Sequence, residues 1–284
     1  VQANSISIGL ASAFGMKGWV SGILIAVLVA VVIVGGQKRV TTIAELVVPF
    51  MALAYIVGAI IILFMYSDQI LPVFESIFGD AFSTKAAAGG AAGSVMKYAI
   101  RYGVSRGLFS NEAGMGSTPH AHALAHVKDP SIQGFVAMSG VFVDLLICTA
   151  TALIILLTGA YAEPGLISVQ ITQRAFEETF GQAGVIFLAI SLLVFAFTTI
   201  IGWYVFGEMN IRYLFKPKAV YVFRVIVIAC VFSATIFHAD LIWELADTFN
   251  GLMVIPNVIA IVILAPQVKK LYKRFLKRRK TEGI

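Results

Sequence analysis

Long apolar stretches separated by short polar connections dominate the pattern of this chain. A helix that crosses a bilayer needs about 20 mostly apolar residues, and six segments reach or approach that length. They run from Trp19 to Gly36, Ile43 to Tyr66, Gly134 to Gly159, Gln182 to Gly207, Ala219 to Ala239 and Leu241 to Ala265. The pattern therefore predicts an all-α polytopic membrane protein.

Two further segments depart from that pattern. The stretch from Ala86 to Ala125 is rich in glycine and basic residues and is too polar for one plain span. We predict two half-helices there, joined near residues 107–111. The chain begins with Val1 rather than Met, inside an apolar stretch that ends at Phe14. We expect this stretch to be the end of a helix whose start is missing, so that the chain is the C-terminal part of a longer protein.

Charge is scarce and unevenly placed. Only 13% of the residues are charged, about half of what soluble domains carry, which excludes disorder, a nucleic-acid-binding arm and a disulfide-stapled secreted module. Eight of the 21 basic residues lie between Lys269 and Lys280, and a basic flank beyond an apolar segment marks the cytoplasmic side and an anionic lipid surface. Alternating the loops from that end places fourteen basic residues inside and only Lys17, Lys85 and Arg174 outside. We therefore predict a cytoplasmic C-terminus.

Two of the predicted outer loops, Gln69 to Phe82 and Glu163 to Phe180, carry apolar residues at helical spacing. We expect short helices that cap an outer vestibule, although simple connectors remain an alternative. Cys148 and Cys230 lie in apolar runs without a nearby partner in sequence, so we expect reduced, packed thiols.

The predicted break in the glycine-rich segment is the most informative place for function. Ser110 and Asn111 are good N-cap residues for a following half-helix, and Glu112 in its first turn would favour the positive end of the helix dipole. Free carbonyls before the break, near Gly107, suit a cation, and free N–H groups after Ser110 suit a carboxylate. A glycine-rich helix crossing without a ligand is the alternative.

The span from Gln182 to Gly207 has no charge, yet Thr198 and Thr199 lie near its middle. Hydroxyl groups are hard oxygen ligands that suit sodium, and Thr199 shares a helix face with Trp203, four residues on. The alternative is that each threonine hydroxyl bonds a carbonyl of its own helix.

Other polar residues inside apolar segments are candidates too. Gln2, Ser5, Gly9 and Ser12 form one stripe, which suits a cavity or a tight helix contact. Asp144 could support the broken helix or pair with a base, and we hypothesise an outer gate formed by Arg101 and Asp247. His120, His122 and His126 suggest either a metal site or, with more weight, a polar end of the half-helix.

Several motifs resemble the signature of the sodium:alanine/glycine symporters. They are Gly107-Leu-Phe-Ser-Asn-Glu-Ala-Gly-Met-Gly-Ser117, Ala121-His-Ala123, and Gln133-Gly134 leading into Phe142-Val-Asp144 and Ile147-Cys-Thr-Ala-Thr-Ala152. The resemblance covers the whole chain. It implies the LeuT-type inverted-repeat fold, incomplete at the N-terminus, and sodium-coupled uptake of alanine or glycine into a prokaryotic cell across its inner membrane.

The resemblance also implies an organisation and a site. Residues 1–66 would end the first repeat, 67–85 would form an outer loop, 86–265 the second repeat and 266–284 a basic cytoplasmic tail. Sodium, the coupling ion, would bind Thr198 and Thr199, and the substrate ammonium would meet carbonyls near Ser105 to Gly107. The implied substrate residues are Gln2, Gly107, Phe109, Ser110, Asn111, Thr199, Ile200 and Trp203.

The size of the substrate would be limited by Trp203, and its carboxylate would rest mainly on the missing first helix. We expect no organic cofactor and no nucleic-acid partner, only a small amino acid and membrane lipids. The alternatives are a symporter of another small solute or a membrane-embedded enzyme that uses Asp144 or the histidines as acid–base groups.

Overall fold

The computed structural model describes residues 1–81 and 90–282, and every regular element within them is helical. This confirms the all-α prediction. A 3-10 turn covers Ala160–Ala162. The α-helices in these ranges are α1 Gln2–Phe14, α2 Gly18–Val34, α3 Gln37–Met65, α4 Ser67–Ala81, α5 Gly90–Asn111, α6 Thr118–His122, α7 Pro130–Thr158, α8 Val169–Phe180, α9 Gln182–Leu214, α10 Ala219–Ala234 and α11 Ala239–Glu282.

Four of these helices are long and apolar enough to cross a membrane, namely Lys38–Met65, Pro130–Thr158, Gln182–Leu214 and Ala239–Thr281. They correspond to four of the six predicted spans. The other two, α2 and α10, are apolar but shorter, with 17 and 16 residues. Phe82, Lys85 and Ala86, which delimit predicted loops and repeats, lie outside the described residues.

Both long loops predicted to lie outside contain the predicted helices, α4 and α8. α11 runs without interruption through Pro256 and Pro266 as far as Glu282, so the basic tail predicted from residue 266 is a continuation of a helix. Neither cysteine forms a disulfide, as expected, but both are exposed. The prediction of packed thiols is wrong, because Cys148 and Cys230 lie on the outward faces of their apolar helices.

The chain divides into two compact units. The first unit comprises residues 1–83 and 148–244, and the second comprises 84–147 and 245–284. In the first unit, α1 packs against α9 and α2 packs against α10. Their shared core is apolar and includes Ile6, Ile25 and Ile201, each fully buried.

Glycine allows α2 to approach α10 closely. A Cβ atom at Gly18 would lie 2.6 Å from the carbonyl oxygen of Thr235, and one at Gly22 would lie 2.4 Å from the Thr235 hydroxyl. Both distances are too short for a real contact. Backbones can pack this closely only where the side chain is absent, which is the known role of small residues between membrane helices.

The second unit is built differently. Among its described residues only Met115 and Ser117 are buried, at 1% and 2% exposure. Phe135 near the start of α7 packs against Tyr272 and Phe275 of α11, with ring centroids 6.4 and 5.7 Å apart. These aromatic contacts join the parts of α7 and α11 that belong to this unit.

Candidate functional site

The break in the glycine-rich segment lies later than predicted. α5 continues through Gly107 and ends at Asn111, and α6 begins at Thr118. Glu112, Gly114 and Gly116 between them have φ of 55°, 90° and 83°. A glycine inside a helix costs only about 1 kcal/mol, so Gly107 does not end it. The run of left-handed torsions ends it, so the helix ends at Asn111, the last residue of the predicted range 107–111.

Ser110 and Asn111 close the end of α5 instead of starting the next helix. The Ser110 hydroxyl donates to the Asp144 carboxylate, with 2.8 Å to Oδ1 and 2.9 Å to Oδ2. The Asn111 amide oxygen accepts from the backbone N–H of Ala113 at 2.9 Å. The N-cap prediction is therefore wrong, whereas the prediction that Asp144 supports the broken helix is confirmed.

The carbonyls of Ser105 to Gly107, predicted to receive the substrate ammonium, lie inside continuous helix. Within the break, the Ser117 hydroxyl donates to the Glu112 carboxylate at 2.6 Å. This bond closes the loop from 112 to 117 on itself. It helps hold Glu112 in a left-handed conformation that costs a non-glycine residue of order 1–3 kcal/mol.

Asn257 of α11 fastens the same loop. Its amide Nδ2 donates to the Gly114 carbonyl at 2.8 Å, and a Cβ atom at Gly116 would lie 3.0 Å from the Asn257 side chain. Gly116 therefore needs to be glycine for its torsion and for this contact. Asn257 was not among the predicted site residues, although an amide directly after Pro256 in an apolar span was a usable signal.

Asp247 pairs with Arg106, at 2.6 Å between Nη1 and Oδ1, and not with Arg101. The hypothesis of an Arg101–Asp247 gate is therefore wrong. Arg101 and Arg106 are five residues apart, which turns their directions by about 140° on a helix. The guanidinium of Arg101 lies 5.8 Å from the Tyr102 ring centroid instead.

Two of the three histidines after the break bond to neighbours in the same unit. His120 Nδ1 lies 2.9 Å from the Ser117 carbonyl oxygen, and His122 Nδ1 lies 2.7 Å from the side-chain nitrogen of Gln133. Residues 1–81 and 90–282 contain no cluster of three or more His, Cys, Asp or Glu able to hold a metal ion. These contacts fit a polar helix end.

In the first unit, both threonines of the predicted sodium site bond the same carbonyl of their own helix. The hydroxyls of Thr198 and Thr199 donate to the Phe195 oxygen at 2.8 and 3.0 Å. This is the alternative considered from the sequence. It does not remove the oxygens as ligands, because a hydroxyl that donates its hydrogen keeps two lone pairs. A sodium role for these residues stays a prediction.

Ile200 packs against the core that contains Ala3, and the Trp203 ring meets Phe206 edge-on at 6.0 Å. Gln2, at the start of α1, is half-buried. The eight predicted substrate residues are divided between the units. Gln2, Thr199, Ile200 and Trp203 belong to the first, and Gly107, Phe109, Ser110 and Asn111 to the second. That they line one pocket stays a prediction.

The buried polar face of α1 differs from the predicted stripe. Asn4 and Ser7 are buried, whereas Ser12 is exposed. The Asn4 amide donates to the carbonyls of Ala234 and Phe237 at 2.9 Å each. Ser7 shares a 2.8 Å hydrogen bond with Ser21. The Asn4 bonds satisfy carbonyls at and just after the end of α10, and the Ser7–Ser21 bond joins α1 to α2. Neither role was predicted from the sequence.

Gly9, a member of the predicted stripe, is buried against α8 and α9. Its carbonyl accepts from the side-chain nitrogen of Gln173 at 3.1 Å. The stripe therefore serves helix packing at this position, which was one of the two expectations.

A charge network, also missed, lies toward the end of α9. The Glu208 carboxylate is buried and accepts from the Tyr204 hydroxyl and from Arg212 at 2.8 Å. Arg224 of α10 donates to the Tyr204 hydroxyl at 2.9 Å. The spacing of four between Glu208 and Arg212 was a visible sequence signal.

Comparisons with known proteins bear on the whole chain. The sodium:alanine symporter family matches residues 1–283. An uncharacterized transporter of Haemophilus influenzae is 46% identical, over 99% of this chain and 60% of its own length. The sodium/alanine symporter AgcS of Methanococcus maripaludis is 37% identical, over 100% of this chain and 62% of its own.

A third relative, named "Probable sodium/glutamine symporter GlnT", comes from Bacillus subtilis. It is 40% identical, over 99% of this chain and 58% of its own length. The chain thus spans about three fifths of the length of the curated relatives it matches.

Proposed function

Because the chain belongs to the sodium:alanine symporter family, we propose that it works in the sodium-coupled symport of small neutral amino acids into the cell. Family membership makes it part of a transporter rather than an enzyme, which argues against the alternative of a membrane-embedded enzyme. The single observation that carries the proposal is the family match over nearly the whole chain. Its apolar helices of membrane-crossing length are consistent with it.

The finer proposal is a substrate of the size of alanine or glycine. The relatives differ in this respect, since one is named for alanine and another for glutamine. We favour the smaller substrate because the bulky Trp203 lies on the same helix face as Thr199, where it would restrict the space for a side chain. The cell membrane of a prokaryote, with the basic C-terminus inside, is the proposed location.

We also propose the LeuT-type inverted-repeat fold and alternating access. In such transporters, substrates bind where helices are discontinuous. The interruption from 112 to 117 supports the proposal, because it leaves helix ends that need partners beyond the helix itself. Sodium would bind the oxygens of Thr198 and Thr199, and Ser110 and Asn111 would lie beside the substrate.

The test is uptake of labelled alanine, glycine and glutamine by the product of the complete gene, reconstituted in proteoliposomes with an inward sodium gradient. We expect alanine and glycine uptake that collapses when sodium is replaced by potassium, with weak glutamine uptake. Uptake that ignores the sodium gradient would contradict symport. Preferred uptake of glutamine would contradict only the size proposal.

The sodium site has its own test, in Thr199→Val and Thr199→Ser. Valine keeps the shape but removes the oxygen ligand, so the sodium concentration for half-maximal uptake should rise about tenfold or more, which corresponds to the loss of about 1.4 kcal/mol of ion binding. Serine keeps the oxygen and should stay within about threefold of the native protein. Equal effects of both changes would remove Thr199 from the sodium site.

A further inference from the structure

A cleft of about 490 Å³ lies in the second unit, where the start of α7 meets the last turns of α11. Its walls include Lys128, Asp129, Leu271, Arg274, Lys277 and Arg278. The volume falls within the range of small-molecule binding sites. Four of these six side chains are cationic and only one is acidic.

The single acid is already engaged. The Asp129 carboxylate accepts from the backbone N–H of Ser131 at 2.9 Å and lies 3.5 Å from Arg278. The hydrogen bond to Ser131, followed by the charge of Arg278, lowers the pKa of Asp129. Asp129 therefore remains ionised and balances one of the four cations, Arg278.

The charged side chains of the other three, Lys128, Arg274 and Lys277, have no hydrogen-bond or ion-pair partner in the part of the chain that the structure describes. Three unpaired positive charges around one cleft repel one another at close range. An anion held between them would relieve this repulsion and form charge-assisted hydrogen bonds.

The position of the cleft indicates which anion. The apolar span of α7 begins at Pro130, directly after Asp129. On α11, Val262 and Ile263 are 67% and 68% exposed and lie just before Pro266 and the first lysines. On the α7 side, the cleft therefore lies at the start of the apolar surface. On the α11 side, its cations begin at Arg274, about 12 Å along the helix beyond Pro266. Both positions lie on the polar side of the apolar boundary, toward the lipid headgroups.

The frame of the cleft is fixed by packing. Phe135 of α7 contacts Tyr272 and Phe275 of α11, so the two walls are held together one turn from the cations. Leu271 is 40% exposed and supplies an apolar wall. A free inorganic anion would make no favourable contact with an apolar wall, whereas the glycerol part of a lipid would.

We propose that this cleft binds the phosphate headgroup of an anionic phospholipid. Arg274 would contact the phosphate with its planar guanidinium, and Lys128 and Lys277 would add charge from the α7 and α11 sides. The site is independent of transport and does not rest on the proposed substrate or ion. It differs from a diffuse attraction of the basic helix to the membrane, because it predicts that particular lysines matter and others do not.

The experiment uses the product of the complete gene in nanodiscs that contain phosphatidylcholine with a spin-labelled probe lipid, either phosphatidylglycerol or phosphatidylcholine. The fraction of immobilised probe gives the relative association of each lipid. We expect a clear preference for phosphatidylglycerol. Lys128→Gln/Lys277→Gln should reduce that preference about fivefold or more, because it removes two charge-assisted contacts to the bound phosphate.

The matched control is Lys269→Gln/Lys270→Gln, which removes two positive charges from α11 at residues that do not line this cleft. It should lower the preference less than twofold. None of these four lysine side chains has a hydrogen-bond or ion-pair partner within residues 1–81 and 90–282. Both variants should therefore fold, and melting temperatures equal to that of the native protein would verify this. Equal losses in the two variants, or no native preference for phosphatidylglycerol, would overturn the proposal.

A final arm separates a lipid from a free anion. Inorganic phosphate is added against chloride at matched ionic strength, so that screening is equal. A headgroup site at the membrane level should retain its lipid. Displacement of phosphatidylglycerol by phosphate alone would show a site for a soluble anion and overturn the lipid proposal.

Discussion

Different interactions stabilise the interior of each of the two units. In the first unit, α1, α2, α9 and α10 enclose an apolar core, and the polar groups Asn4, Ser7 and Glu208 are buried with partners. In the second, hardly any described side chain is buried, and the contacts that define its geometry are hydrogen bonds to the loop from 112 to 117.

This difference has a physical consequence. Many close-packed atoms share the stabilisation of the first unit, so its geometry is determined collectively. Asp144 bonds the end of α5 through Ser110, and Asn257 and Ser117 bond the loop after it, and each of these bonds can be lost separately. Regions with few buried apolar contacts open at lower free energy than packed cores, so the broken helix is the place where a conformational change costs least.

The largest expected effect follows from removing Asp144. Asp144→Ala deletes the acceptor of the Ser110 hydroxyl, and hydrogen bonds to charged groups contribute about 1.5–3 kcal/mol. Hydrogen exchange of the backbone amides from 112 to 117, measured on the product of the complete gene, should accelerate about tenfold or more. Proposed alanine uptake should fall by a similar factor.

Asp144→Asn is the control for that change, because it keeps an oxygen acceptor and should give an intermediate result. Ser110→Ala in the Asp144→Ala background should add little if the two groups act as a pair. Additive losses would show that Asp144 acts on something other than Ser110. Unchanged exchange in Asp144→Ala would contradict the view that this loop depends on single bonds.

A change in the first unit should act through packing. Gly18→Ala places a methyl group 2.6 Å from the Thr235 carbonyl oxygen, a backbone atom that cannot turn aside, so α2 and α10 must separate. Overpacking of this kind costs about 1–3 kcal/mol. We expect a lower melting temperature without faster exchange confined to 112–117.

Gly58→Ala is the matched control in the same unit, since its added Cβ would lie at an ordinary 3.5 Å from Phe176. It should leave the melting temperature nearly unchanged. A tolerated Gly18→Ala would show that the first unit is as adaptable as the second, and the contrast between them would fail.

The smallest expected effect concerns Arg106 and Asp247, which are partly exposed, with 34% and 20% of their side-chain surface accessible. Each single charge reversal should reduce uptake by a factor of about five, corresponding to about 1 kcal/mol for a partly exposed pair. The double reversal Arg106→Asp/Asp247→Arg should restore most of it. Arg101→Asp with Asp247→Arg is the control and should give no rescue. Rescue by Arg101 instead would reinstate the gate first hypothesised.

Much of the fold could be predicted because long helices carry their own signal. Apolar length located four helices of crossing length, and helical spacing located α4 and α8 in the outer loops. The break lies at 112–117, just after the predicted range 107–111, because glycine content does not fix torsion. Gly107 is helical, whereas Glu112 takes a positive φ that no rule of residue preference indicates.

The hydrogen-bond and ion-pair partners of polar residues were harder to predict than the positions of the helices. Asp144 was recognised as a support of the break because an ionised group in a span needs a partner. Its partner, Ser110, lies 34 residues away in sequence, and Asn257 lies 143 residues from Gly114. Such distances give no periodic signal, which is why Arg101 was chosen for Asp247 in place of Arg106.

The sequence by itself determined the membrane class, the helical content, the family and the uneven placement of charge, because these depend on composition and on local periodicity. Only the tertiary structure decided where α5 ends, which polar groups hold the loop after it, and that Asn4 and Ser7 form the buried polar face of α1. The physical reason is that a hydrogen bond depends on atoms within about 3 Å of each other in space, and separation along the chain does not set that distance.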